Sequence, residues 1–131
     1  MVNSASQIVK ISPLDGLVSP TGGVSLREKP FVGKVNLRGD VETGDFGSIV
    51  ESVLGGFVPT TPNTVVTSRD FTIFWLGPDE WLIHTPEDGQ GDLIARLRAA
   101  LGDIHSAVTD VSDYFVVIEM RGRHCRDVLA R

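Results

Sequence analysis

Cys125 is the single cysteine of the chain, so no internal disulfide can form, and the expected setting is a reducing one such as the cytoplasm. Long hydrophobic runs are missing too, and the first twenty residues lack a basic region followed by an apolar stretch. Neither a membrane span nor a secretory leader is therefore expected. Cationic excess is absent: the formal net charge is -5, with basic residues only in small groups such as Arg121, Arg123 and Arg126. That argues against a nucleic-acid partner, which needs a basic stripe against its phosphates. No glycine loop with its phosphate-binding lysine and no dinucleotide fingerprint occurs.

What is present fits an ordinary globular protein. Hydrophobic residues make up 41% and charged residues 22% of the 131 positions, a balance that suggests neither disorder nor a membrane protein. A chain of this length buries about two thirds of the surface its unfolded form exposes, enough for a core of its own.

Both tryptophans fall in Phe71–Ile83, two apolar runs separated by Gly77-Pro78-Asp79. This predicts a β-hairpin, since proline donates no N–H and glycine opens backbone angles that other residues avoid. Phe71, Ile73 and Trp75 alternate onto one face and Thr72, Phe74 and Leu76 onto the other, which predicts a central strand covered on both sides. Trp75 and Trp81 beside one tight turn suit a core corner and a partner contact equally.

Residues 1–30 have no sustained periodicity, and their two turn-rich stretches, Ser12–Leu17 and Ser19–Gly23, predict an extended arm. Leu14, Leu17 and Val18 would anchor it on a surface, of this chain or another. Val24–Glu28 alternates like a short edge strand ended by Pro30, and Phe31–Leu37 like a firmer one closing at Arg38-Gly39-Asp40. Phe46, Ile49, Val50, Val53 and Leu54 form a helical stripe with Asp45 as its N-cap and Gly55-Gly56 as its stop. A loop at Pro59–Asn63 follows, and Val65–Thr67 begins or approaches the next strand. A second helix is expected from about Asp92 to Leu101, with Leu93, Ile94, Leu97 and Leu101 inside, Arg96 and Arg98 outside and Gly102 as its stop. Ala107–Val111 and Tyr114–Met120 are expected as two further strands around Ser112-Asp113, and Gly122 precedes a helix carrying Cys125, Val128 and Leu129. An uncapped helix at Arg131 suggests a chain truncated at its C-terminal end.

From Val32 to Val111 the order is strand, helix, strand, strand, helix, strand. That is the split βαβ, ferredoxin-like pattern: an α+β fold with an antiparallel sheet and both helices on one face. The expected organisation is an arm over residues 1–30 and one α+β domain over 31–131, which the last strand and helix extend.

Chemistry is sparse along this frame. His84, His105 and His124 lie far apart in sequence, with Cys125 adjacent to only one of them, so no metal site is expected. Asp79-Glu80 could act as an acid/base pair but sits where solvated turn carboxylates are usual. Asx-type hydrogen bonding accounts for Asp110-Val111-Ser112-Asp113. Arg38-Gly39-Asp40 at a strand end implies a turn or a salt bridge rather than an adhesion motif. Cys125, on its helix's apolar stripe, is expected as a buried inert thiol. Glu119 fits least, since it alternates onto a face shared with Phe115 and Val117.

Ser12-Pro13-Leu14, Val35-Asn36-Leu37-Arg38-Gly39-Asp40, Trp75-Leu76-Gly77-Pro78-Asp79-Glu80-Trp81-Leu82, and Asp110-Val111-Ser112-Asp113 followed by the Gly122 helix with Val128-Leu129-Ala130 occur in this order across nearly the whole chain. Together they resemble the gamma subunit family of bacterial heterotetrameric sarcosine oxidase, the tryptophan hairpin being the specific element. The resemblance implies a fold related to the tetrahydrofolate-binding domain of the glycine-cleavage aminomethyltransferase. It implies a non-catalytic scaffold in a complex that oxidises the N-methyl group of sarcosine, giving glycine and hydrogen peroxide and passing the one-carbon unit to tetrahydrofolate. The implied partners are alpha, beta and delta subunits, with FAD, FMN, NAD and the folate pocket in the larger ones, zinc in the delta subunit, and no cofactor on this chain. No catalytic residue is carried over. Arg38, Trp75, Asp79 and Trp81 are family-motif positions, with an interface role or a fold-stabilising one. The alternatives are a free-standing folate-binding or aminomethyltransferase-like protein, and an adaptor unrelated to folate.

Overall fold

A computed structural model describes residues 8–19 and 22–131. Residues 1–7 of the expected arm, and Pro20 and Thr21 within its second turn-rich stretch, lie outside them. The chain divides into two compact units, residues 31–115 and residues 1–30 with 116–131.

The larger unit contains β2 (Gly33–Gly39), α1 (Phe46–Leu54), β3 (Val65–Ser68), β4 (Phe71–Gly77), β5 (Glu80–Thr85), α2 (Gln90–Leu101) and β6 (Ser106–Asp110). Its sheet runs β3-β4-β5-β2-β6, every neighbouring pair antiparallel. The connection from β5 through α2 to β6 passes over β2, and the one from β2 through α1 towards β4 passes over β5. Val65–Ser68 is a strand in its own right, hairpin-paired with β4. That adds one strand to the expected series.

Alternation places Val35, Leu37, Ile73, Trp81, Ile83 and Val108 on one face, and these share a core with Phe46, Val50 and Leu54 of α1 and Leu93, Leu97 and Leu101 of α2. Gly55 ends α1 with φ 72°, and it and Gly56 both donate to the Glu51 carbonyl. Asp45 occupies the N-cap position but makes no side-chain capping bond. Arg96 and Arg98 lie outside as expected, yet neither is idle. Arg96 Nη2 donates to the Val53 carbonyl at 2.6 Å, occupying an otherwise orphaned acceptor at the end of α1, and Arg98 Nη2 donates to the Val108 carbonyl at 2.8 Å.

Two expectations fail here. β4 is not covered on both sides: Ile73 is fully buried, but on the opposite face Thr72 and Phe74 are half-buried and Leu76 is 49% exposed, because both helices pack on the core face. The strand expected over Tyr114–Met120 does not extend the sheet either. Asp110 Oδ1 accepts the Ser112 N–H at 2.9 Å, and the Ser112 hydroxyl accepts the Lys34 N–H at 3.0 Å. With the Ser112 hydroxyl on the Lys34 N–H, that donor is lost to the ladder, which stops, and Tyr114, Phe115 and Val116 are left exposed.

In the smaller unit, β7 (Ile118–Arg121) pairs antiparallel with β1 (Ser25–Glu28) as a two-stranded ribbon, and α3 (Cys125–Leu129) follows. Leu26, Ile118 and Met120 share one face of the ribbon. On the other, Glu119 lies opposite Arg27 and receives Arg121 Nε at 2.8 Å and Lys29 Nζ at 3.3 Å. The Arg121 hydrogen bond, and after it that of Lys29, hold its carboxyl below the usual carboxylate range. The residue hardest to place from sequence thus sits in a row of cations. Residues 8–19 have no regular structure beyond the turn at Pro13–Gly16; Leu14 is half-buried, whereas Leu17 and Val18 are exposed on this chain.

Candidate functional site

Arg38, Trp75, Asp79 and Trp81 lie at one end of the five-stranded sheet, the two tryptophans on its core face and Arg38 on the opposite one. In register, Leu37 pairs with Trp81 and Trp81 with Trp75, so both indoles stand beside the β4–β5 turn. The Gly39 N–H donates to the Asp79 carbonyl at 3.0 Å, and Arg38 Nη2 lies 3.4 Å from Asp79 Oδ2. The turn is therefore tied to the end of β2 by one backbone bond and one exposed ion pair.

The two tryptophans have different surroundings. Trp81 is fully buried, its ring 6.0 Å from that of Phe46 and its Nε1 donating to the Pro59 carbonyl at 2.7 Å. Trp75 is half-buried, and its indole nitrogen is shielded from solvent with no acceptor among the described residues. Asp79 and Glu80 point to separate partners, Glu80 Oε1 accepting from Asn36 Nδ2 at 2.8 Å and Asp79 facing Arg38. Asp40 closes a tight turn, accepting the Thr43 hydroxyl and the Glu42 N–H at 2.8 Å each. Those bonds, Thr43's first, lower its carboxyl below the usual value.

Lys34 forms a second cluster that sequence inspection passes over. By alternation it shares a face with Asn36 and Arg38, where solvent would be expected, yet it is only 4% exposed. Its Nζ donates to the Val32 carbonyl at 3.0 Å and the Ser112 carbonyl at 2.9 Å. No local signal could have revealed this, because Ser112 is distant in sequence. Burial lowers the ammonium's pKa from the ordinary value of 10.5, while Asp113 and Asp110 push it back up.

Between that depressed value and 10.5 the unfolded chain holds a proton that the folded chain has shed, so stability rises with pH across this window. The expected result is a urea midpoint for the wild type that climbs relative to Lys34→Met as pH is raised from neutral towards 10.5. Parallel pH profiles for the two chains would overturn it.

Among the described residues, no group of three histidine, cysteine or carboxylate side chains could hold a metal ion. Among the described residues, no helix is long and apolar enough to cross a membrane. Cys125 is half-exposed on a helix that buries nothing, which corrects the expectation of a buried thiol. An open cleft of about 390 Å³ lies between the end of α2 and β6, lined by Arg98, Leu101, Ile104, Ser106 and Val108 among others. Its guanidinium is already engaged by the Val108 carbonyl.

Residues 38–131, which include all four motif positions, match the sarcosine oxidase gamma subunit family. The sarcosine oxidase subunit gamma of Corynebacterium sp. (strain P-1) is 37% identical over 124 residues, 89% of this chain and 60% of that protein. The subunit gamma of an Arthrobacter species is 35% identical over 105 residues, 79% of this chain and 50% of its own. This chain thus spans half to three fifths of the length of these relatives. A chain of the heterotetrameric sarcosine oxidase from Corynebacterium sp. U-96, solved in complex with pyrrole 2-carboxylate, has a similar fold, with a TM-score of 0.79 and 26% identity over 91% of this chain and 64% of that one. A mixed α/β chain whose tryptophan hairpin closes on Arg38 and whose matched region covers that whole site belongs to the sarcosine oxidase gamma subunit family.

Proposed function

We propose that this chain is a small non-catalytic subunit of a cytoplasmic sarcosine oxidase complex, serving as a scaffold beside alpha, beta and delta subunits. In this reading the complex oxidatively demethylates sarcosine or a close N-methyl relative to glycine with hydrogen peroxide. It then passes the one-carbon unit to tetrahydrofolate. FAD, FMN, NAD, zinc and folate belong to the other subunits. The observation that carries the proposal is the 0.79 TM-score over 91% of the chain to a chain of a heterotetrameric sarcosine oxidase. The geometry supports a scaffold: Arg38 and Asp79 face each other, Glu80 is bound to Asn36, and Lys34 spends its donors on carbonyls. Arg38, Trp75 and Asp79 are then interface positions. The two interlocked helix crossovers support a ferredoxin-like relation to the tetrahydrofolate-binding domain of aminomethyltransferase.

Co-expression with neighbouring alpha, beta and delta subunit genes, followed by pull-down and size-exclusion chromatography at flavin wavelengths, tests the reading. The expected result is a yellow complex that consumes sarcosine and releases peroxide, while this chain alone is colourless and inactive. A lone monomer that binds tetrahydrofolate by itself would overturn it in favour of a free-standing folate-binding protein.

A further inference from the structure

Phe31 has φ 59°, in the left-handed region that glycine enters readily and a bulky side chain avoids. Three other non-glycine residues have positive φ among the described residues. Asn63 and Asp88 are types that tolerate it, and Arg69 lies in the two-residue hairpin turn between β3 and β4, which calls for such angles. Phe31 has neither reason. It follows Pro30 in a turn, a place where positive φ ordinarily selects glycine, and at 38% exposure it is not forced there by burial in the core.

A strained residue persists only where its surroundings hold it. One hold is Gly33, so close to Thr85 and Gln90 that a Cβ there would collide with both side chains, which fixes where β2 begins. The other is Lys34, whose buried Nζ reaches back to the Val32 carbonyl and across to the Ser112 carbonyl. The Lys34 N–H donates to the Ser112 hydroxyl, its carbonyl accepts the Val111 N–H at 3.0 Å, and the Val111 carbonyl accepts the Tyr114 N–H at 3.1 Å. The larger unit begins at Phe31 and ends at Phe115, so one side chain grips the backbone beside its first residue and again shortly before its last.

We propose that Lys34 is a latch that closes the strained turn at Phe31 and the turn at Ser112 as one element, so that the two ends of the larger unit are held together or released together. Opening lets Phe31 leave the left-handed region, and that relief favours the open form. The two Nζ hydrogen bonds oppose it, and they are strengthened by their shelter from water. A buried lysine that merely satisfied nearby carbonyls would have no energetic link to residue 31; a latch must have one.

The test is a double-mutant cycle in the full chain, with Phe31→Gly, Lys34→Met and the two combined compared by urea denaturation. With Lys34 in place, glycine relieves the turn and should shift the midpoint upward. Without it, residue 31 is already free to relax, and the same substitution should shift the midpoint by clearly less or downward. The comparison cancels what glycine does to the unfolded chain, because that occurs in both backgrounds. Equal shifts in the two backgrounds would overturn the latch. Amide exchange in Lys34→Met alone gives an independent readout: residues 34, 111 and 114 should lose protection together, by about tenfold or more, while the β4 and β5 amides keep theirs. Loss confined to residue 34 would also overturn the proposal, by reducing the lysine to a local contact. Should Lys34→Met fail to fold, Lys34→Gln, whose shorter amide leaves a donor in the site, carries the same cycle and the same expected exchange pattern.

Discussion

Trp81→Ala is expected to cost about 3–5 kcal/mol of stability, the range for removing a large aromatic side chain from a closed core. The indole is fully buried between the sheet and α1, beside Phe46, and its N–H is the partner of the Pro59 carbonyl. Truncation leaves a cavity the size of a bicyclic ring and strands that carbonyl in an apolar setting. Trp81→Phe separates the two contributions: it restores much of the area but not the hydrogen bond, and about 1–3 kcal/mol should still be lost. Urea denaturation of the three chains measures both. A loss below about 1 kcal/mol for the alanine variant, the size of an ordinary surface change, would mean that Trp81 does not hold the core. Of the four motif positions this one is thereby assigned to the fold, leaving the exposed Arg38–Asp79 pair and the half-buried Trp75 as its candidates for contact.

Gly122→Ala should disable the β1–β7 ribbon. Gly122 has φ +137°, a conformation that side-chain-bearing residues rarely adopt, and a Cβ there would sit 2.2 Å from the Gly23 carbonyl oxygen. The obstacle is backbone, which no rotamer change can move aside. Strain of about 1–3 kcal/mol from the dihedral alone adds to the collision. The ribbon has few buried contacts to absorb either, so β1 is expected to separate from β7 while residues 31–115 stay folded. Amide exchange would show this as lost protection at Ser25–Glu28 and Ile118–Arg121 with the β4 and β5 amides unchanged. Unaltered protection across the ribbon would refute the close approach.

The elements easiest to find in the sequence were those whose signal is local. Phe46, Val50 and Leu54 repeat at helical spacing with two glycines behind them, and Leu93, Leu97 and Leu101 do the same before Gly102. Gly77-Pro78 between two apolar runs marked the tryptophan turn, although pairing resumes only at Glu80. Arg38 and Asp79 were singled out separately, and the ion pair between them was not visible. Lys34 was missed because alternation assigns a lysine to solvent, whereas its burial depends on two carbonyls, one of them at distant Ser112.

From sequence alone came the helices, the central hairpin and the family. Each of these rests on spacing within a dozen or so residues, or on motif order along the chain. Tertiary structure alone decided that Trp81 belongs to the core while Trp75 stays half-buried, and that one face of β4 is left open. It also decided that the strand after Asp113 pairs with residues 25–28 instead of extending the sheet. Those outcomes depend on which hydrogen-bond donors and apolar faces have already been taken by partners far away in the chain. The Ser112 hydroxyl, held by Asp110, occupies the Lys34 N–H that would have continued the ladder, and the next strand pairs with residues 25–28 instead.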